Sequence, residues 1–142
     1  MELNKSAVRK RVSEIRSAAK ELREIASKPF EELSTSELYA MRYLVIVIAE
    51  AIAALCLHVA RGKFGLEPSS GRECLKRLLE KKVVSEKVYS DVSKILSLRN
   101  LLVHRYWVID DRRVYESVKS NFSSVEEPVS YTHLTLPTTE RV

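Results

Sequence analysis

STSELYAMRYLVIVIAEAIAALCLHVAR, residues 34–61, decides how this chain folds. It opens with a capping-box pattern. Ser34 offers its hydroxyl to the backbone N–H of Glu37, and the Glu37 carboxylate reaches back to the backbone of Ser34. From Tyr43 to Ala60 nearly every residue is apolar. The stretch reads as a helix from about Thr35 to Arg61, ended by Gly62 and Gly65. At 1.5 Å per residue such a helix is about 40 Å long. Its apolar run is long enough to raise the question of a bilayer. Glu50 near the middle would cost roughly 2.5–3.5 kcal/mol there, and His58 adds to the objection. Amphipathic segments follow that are suited to covering the run. It is therefore read as the buried spine of a bundle, and no membrane span is expected.

The neighbouring segments fit that spine. Across residues 4–27, Val8, Val12, Ile15, Ala19, Leu22 and Ile25 or Ala26 follow three-four spacing and form one apolar stripe. Arg9, Lys10, Arg11, Arg16, Lys20 and Arg23 cover much of the rest. They are either an approach surface for phosphates or a solvated face interleaved with Glu14, Glu21 and Glu24, which is the simpler reading. Lys28-Pro29 ends this helix. After a connector over residues 62–71, a short helix spans about 72–81 with Leu75, Leu78 and Leu79 on its apolar side. Ser85 caps a fourth helix running to about Arg105. Trp107-Val108-Ile109 is read as an apolar exit tucked against the bundle. Asp110 caps a last helix over about 111–122, with Val114, Val118 and Phe122 at spacing four. The expected fold is thus all-α, an antiparallel bundle of about five helices.

Composition sets bounds. The 142 residues suffice for one domain, 45% are hydrophobic, and only three are glycine. The formal net charge of +5 permits a nucleic-acid partner without requiring one. Cys56 and Cys74 stand eighteen apart with no CxxC pattern, so they read as thiols of a reducing cytoplasm. Neither a metal-ligand spacing nor a glycine-rich phosphate loop is present, and no cofactor is expected. The domain is assigned to residues 1–127. Residues 128–142 read as a disordered or vector-derived tail, since residues 131–139, including His133, have neither helical period nor charge.

The chemistry-bearing stretch is Leu98-Arg99-Asn100-Leu101-Leu102-Val103-His104-Arg105-Tyr106-Trp107. At 100° per residue, Asn100 and His104 share one face, and Arg99 and Tyr106 share a neighbouring one. Leu98 and Leu102 point roughly opposite, into a core. Val92, Leu96 and Val103, with Tyr89 close by, flank the polar side. That second apolar side is read as a contact with another chain, with the polar set lining a cleft in it. On local grounds alone the same residues suit a helix C-terminus, where Arg and His complement the dipole. Glu50 has two compatible readings: it orients His104, or it is a buried carboxylate paired with an arginine such as Arg42 or Arg99. His58 reads as a satisfied interior or rim histidine.

The pattern Arg99-Asn100-x3-His104-x-Tyr106, near the end of a small helical chain, resembles the signature of the HEPN superfamily, and within it the HepT-like toxins. The likeness covers most of residues 4–127. It implies a metal-independent endoribonuclease toxin that acts as a homodimer on RNA. Arg99 and His104 would be the catalytic pair, with Asn100 beside them and Glu50 in support. It further implies a small nucleotidyltransferase antitoxin as partner, which modifies the tyrosine at the position of Tyr106 with AMP. The chemistry is reasonable for these side chains. Histidine serves as acid or base near neutral pH, and the planar fork of arginine suits charge gathering on phosphoryl oxygens. One histidine per chain is thin for an acid–base pair, which a symmetric dimer would remedy. The alternative is a HEPN module that binds nucleotide or RNA without cutting, or a helical scaffold partner for the nucleotidyltransferase.

Overall fold

A computed structural model of the chain describes residues 4–122. The chain forms five α-helices: α1 (Lys5–Ala26), α2 (Thr35–Phe64), α3 (Gly71–Glu80), α4 (Glu86–His104) and α5 (Asp111–Asn121). Short 3-10 turns at Phe30–Glu32 and Tyr106–Val108 precede α2 and α5. The region 128–142 lies outside the described residues.

Side-chain caps fix the helix starts. Asn4 accepts from Ala7 N, Ser70 from Glu73 N, Ser85 from Val88 N and Asp110 from Arg112 N. At Ser34 both arms of the capping box form: Glu37 N donates to Ser34 Oγ at 3.1 Å, and Ser34 N donates to Glu37 Oε1 at 2.9 Å. The α2 helix runs one turn beyond Arg61. Gly62 lies inside it, and Gly65, at φ +64°, provides the left-handed residue that ends it. Leu66 N then closes onto Ala60 O at 3.0 Å.

The spine reading holds. Met41, Val45, Ile48, Ile52, Leu55 and Val59 of α2 are buried. The α1 stripe meets them with Val8, Val12, Ile15, Ala19 and Leu22. Asn4 N donates to His58 Nε2 at 2.8 Å, so the start of α1 lies at the end of α2 and the two helices are antiparallel. This also makes His58 a satisfied rim histidine. Among the described residues α2 is the one helix long and apolar enough to cross a membrane.

One face of the spine is covered only in part. Tyr39, Tyr43, Ile46, Val47, Glu50, Ala53, Ala54 and Leu57 fall on one side at helical spacing, and all are exposed or half-buried. The second apolar side that the sequence placed on α4 is therefore mostly on α2. Val92 and Leu96 instead belong to the core of their own chain. A second correction concerns the exit from α4. Trp107 and Val108 are 67% and 47% exposed, and only Ile109 packs against the core. The chain leaves α4 at Arg105 (φ −137°, ψ 43°) and enters a tight turn, closed by Val108 N to Arg105 O at 3.0 Å. That turn points the two side chains away from the bundle.

Candidate functional site

The fourth helix carries the polar set on a firm support. Ile95 and Leu102 are buried and Leu98 packs on the core, which fixes the rotation of the helix. Arg99 is thereby aimed toward α2. Its Nη2 donates to Glu50 Oε1 at 2.9 Å and its Nη1 to Asn100 Oδ1 at 3.1 Å. Two charge-assisted bonds from one planar group leave it little freedom. Glu50 is not buried: its side chain is 55% exposed. Its partner is Arg99, whereas Arg42 turns away to Asp111, with paired bonds of 2.7 and 2.8 Å.

Arg99 and Asn100 line a cleft of about 300 Å³. Ala49, Glu50 and Ala53 of α2 form one wall, Ser70, Gly71 and Arg72 the end beside α3, and Leu96 the floor. His104 and Tyr106 do not line this cleft. His104 is the last residue of α4, and its exposed imidazole has no hydrogen-bond partner among the described residues. Tyr106 is 66% exposed, with its ring edge-on to Trp107 at 5.3 Å between centroids. The single chain thus assembles Arg99, Asn100 and Glu50, and leaves His104 and Tyr106 facing outward at the end of the same helix. The sequence did not point to Arg72. The one available signal was the Ser69-Ser70 pair ahead of a short helix, which marks where α3 begins but not which way it faces.

The remaining reactive side chains lie elsewhere. Cys56 and Cys74 are free and buried. Burial, with the neighbouring Cys74 adding to it, pushes the Cys56 thiol up to about 12. Burial likewise raises Cys74 to about 11. Such thiols stay protonated and unreactive. No group of three or more His, Cys, Asp or Glu side chains able to hold a metal occurs among the described residues.

A profile of the ribonuclease HepT-like family matches residues 15–131. The chain belongs to that family. No curated protein matches this HepT-like chain in sequence. Its fold is shared with solved structures. One is the tri-AMPylated HEPN toxin of Shewanella oneidensis in complex with MNT antitoxin, at a TM-score of 0.82 and 16% identity, covering 90% of this chain and 97% of that one. A toxin–antitoxin solved with AMP-PNP gives 0.81 at 15% identity, covering 91% and 98%. The cytosolic protein of unknown function YutE from Bacillus subtilis gives 0.81 at 20% identity, covering 99% of both chains. These likenesses establish the HEPN-type helical bundle.

Proposed function

We propose that this HepT-like chain is a metal-independent endoribonuclease toxin of the cytoplasm, active as a homodimer. The observation that carries the reading is the placement of Arg99. It is held by Glu50 and Asn100 at the lip of a cleft, on the same helix end as the outward-facing His104. In the proposed reaction the ribose 2′-oxygen attacks the adjacent phosphorus and the bond to the 5′-oxygen breaks. A base takes the 2′-hydroxyl proton and an acid gives one to the departing 5′-oxygen, leaving a 2′,3′-cyclic phosphate. His104 takes one of these roles and the His104 of a second copy the other. Arg99 stabilises the charge on the phosphoryl oxygens. Asn100 orients Arg99.

The open face of α2 supports the dimer. It is apolar along its length except for Glu50, so a second copy laid on it would bury apolar area and bring two Arg99 groups near one groove. Regulation by a nucleotidyltransferase antitoxin that transfers AMP to Tyr106 fits the exposure of that phenol. The test is cleavage of a labelled RNA in excess chelator. Cleavage by the parent chain, lost in folded Arg99→Ala and His104→Ala variants, is the expected result.

A second reading is phosphate or nucleotide binding without turnover. It is favoured by the position of His104, which does not line the cleft that holds Arg99 in the single chain. RNA binding by the parent chain without cleavage would select that reading. A purely helical scaffold for the nucleotidyltransferase would do neither.

A further inference from the structure

The cleft contains two guanidinium groups, and the proposed reaction uses one. Arg99 is committed to Glu50 and Asn100. Arg72, the second residue of α3, lines the same cleft from the other end. Its Nη2 donates to Ser97 Oγ, a neutral partner two residues before Arg99 on α4. Among the described residues no carboxylate pairs with Arg72. Its sequence neighbour Glu73 is already occupied, accepting from both the N and the Oγ of Ser69. Of the charged side chains lining the cleft, two are cations and one, Glu50, is an anion bound to Arg99. The uncompensated positive charge is therefore at Arg72.

This end of the cleft is built on a rigid base. Cys74, Leu75 and Leu78 bury the opposite side of α3. The start of the helix packs against its neighbours: a Cβ at Gly71 would stand in ordinary van der Waals contact, 3.6 Å from Ala53 Cβ and 3.8 Å from Leu96 Cδ1. The Ser97 hydroxyl holds the guanidinium on the α4 side. A flexible side chain is thus held over the cleft before any ligand arrives.

We propose that Arg72 is a second phosphate-binding residue, holding an RNA phosphate next to the one engaged by Arg99. This rests on the ribonuclease reading above, and extends the substrate to a strand with at least two phosphates in the site. The chemistry that recognises it is a backbone contact, so it positions the strand without selecting bases. It is a positioning residue and does not touch the reacting atoms.

The test compares the parent with Arg72→Ala and Arg72→Lys on a six-nucleotide RNA and on a dinucleoside monophosphate. On the longer strand, removing this phosphate contact should raise KM about tenfold in Arg72→Ala with kcat retained, and lower the slope of log binding against log salt by about one. Arg72→Lys keeps the charge and should recover most of the loss. On the dinucleoside monophosphate, which has a single phosphate, the difference should shrink to within about twofold. Binding is read independently by fluorescence anisotropy in a His104→Ala background, and folding by circular dichroism. A longer-strand KM and salt slope unmoved by Arg72→Ala, with the parent cleaving normally, overturns the Arg72 assignment alone. An equal loss on both substrates overturns it as well. A parent chain that neither binds nor cleaves RNA overturns the ribonuclease reading, and this inference with it.

Discussion

Arg99 on α4 donates to Glu50 on α2 across 2.9 Å, and among the described residues this bond is the one polar tie that fixes the arginine to a different helix. It joins residues 49 apart in sequence. Its exposure limits what it adds to folding, since pairs of this kind contribute about 0.2–1 kcal/mol. Its consequence is orientation, and the first prediction follows from that. Glu50→Ala frees Arg99 and should lower kcat about tenfold through loss of alignment, with little change in melting temperature. Glu50→Gln keeps an acceptor at the same place and should retain most of the activity. Steady-state cleavage assays on the two variants decide it. An alanine variant as active as the parent removes Glu50 from the site.

The open face of α2 makes the second prediction. Tyr43 lies on that face and is 66% exposed, so a charge there should cost the folded chain no more than about 0.5 kcal/mol. In a dimer that covers the face, the same charge is buried twice by symmetry. Tyr43→Glu should therefore shift the protein to monomer in sedimentation velocity and reduce RNA cleavage in step. A variant that remains dimeric at the same concentration places the dimer contact elsewhere.

The capping box at the start of the spine gives a pH dependence. The Lys28 ammonium, at 2.8 Å from Glu37 Oε2, and then the Ser34 backbone N–H hold the Glu37 carboxyl below its ordinary value of 4.5. Between the folded and unfolded values the unfolded chain binds more protons, so stability rises with pH there. The contribution is complete above pH 4.5 and is lost as pH falls through the lower folded value. Glu31 and Glu73 shift in the same direction, through Arg112 and Ser69 respectively, so acid destabilisation of the parent is a composite. The difference between parent and Glu37→Gln isolates the cap. Thermal melts should show a gap between the two at pH 7 that closes as the medium is acidified below the ordinary carboxyl value of 4.5. A gap independent of pH would assign the effect to shape and not to charge.

The order of helices was legible because its signals are local. Ser34, Ser85 and Asp110 each cap the helix they were expected to cap, and the stripe on α1 is buried as its spacing requires. What sequence could not decide was rotation. The α2 helix is apolar nearly all round, so its pattern does not say which side meets α4 and which stays open. That is why the sequence offers Arg42 and Arg99 equally as partners for Glu50, and why its pattern suggests an exposed stripe on α4. Arg42 is drawn off by Asp111, a residue 69 positions away whose capping neighbour was visible but whose partner was not. Asp91 illustrates the same limit. It is buried on α4 and meets Lys87 at 2.8 Å, though nothing in its neighbourhood marks it as interior. Arg72 reaches the site through the packing of α3, which no local spacing encodes.

Tyr106 carries the last prediction. It follows α4 by two residues, and its phenol is open to solvent while its ring edge rests on Trp107. The proposed modification forms a bond from the phenolic oxygen to the α-phosphorus of ATP, releases pyrophosphate and gives up the phenolic proton. The product carries a phosphodiester anion and a nucleoside at the end of the helix that carries Arg99 and His104. A bulky anion there competes with an RNA phosphate for the same cations. Co-expression with the cognate nucleotidyltransferase should therefore add one or more AMP units by mass spectrometry, mapped to Tyr106 and absent in Tyr106→Phe. The modified protein should lose RNA cleavage, and Tyr106→Phe should keep it in the presence of the partner. If the partner silences Tyr106→Phe as fully as the parent, neutralisation works by covering the groove and not by modifying the tyrosine.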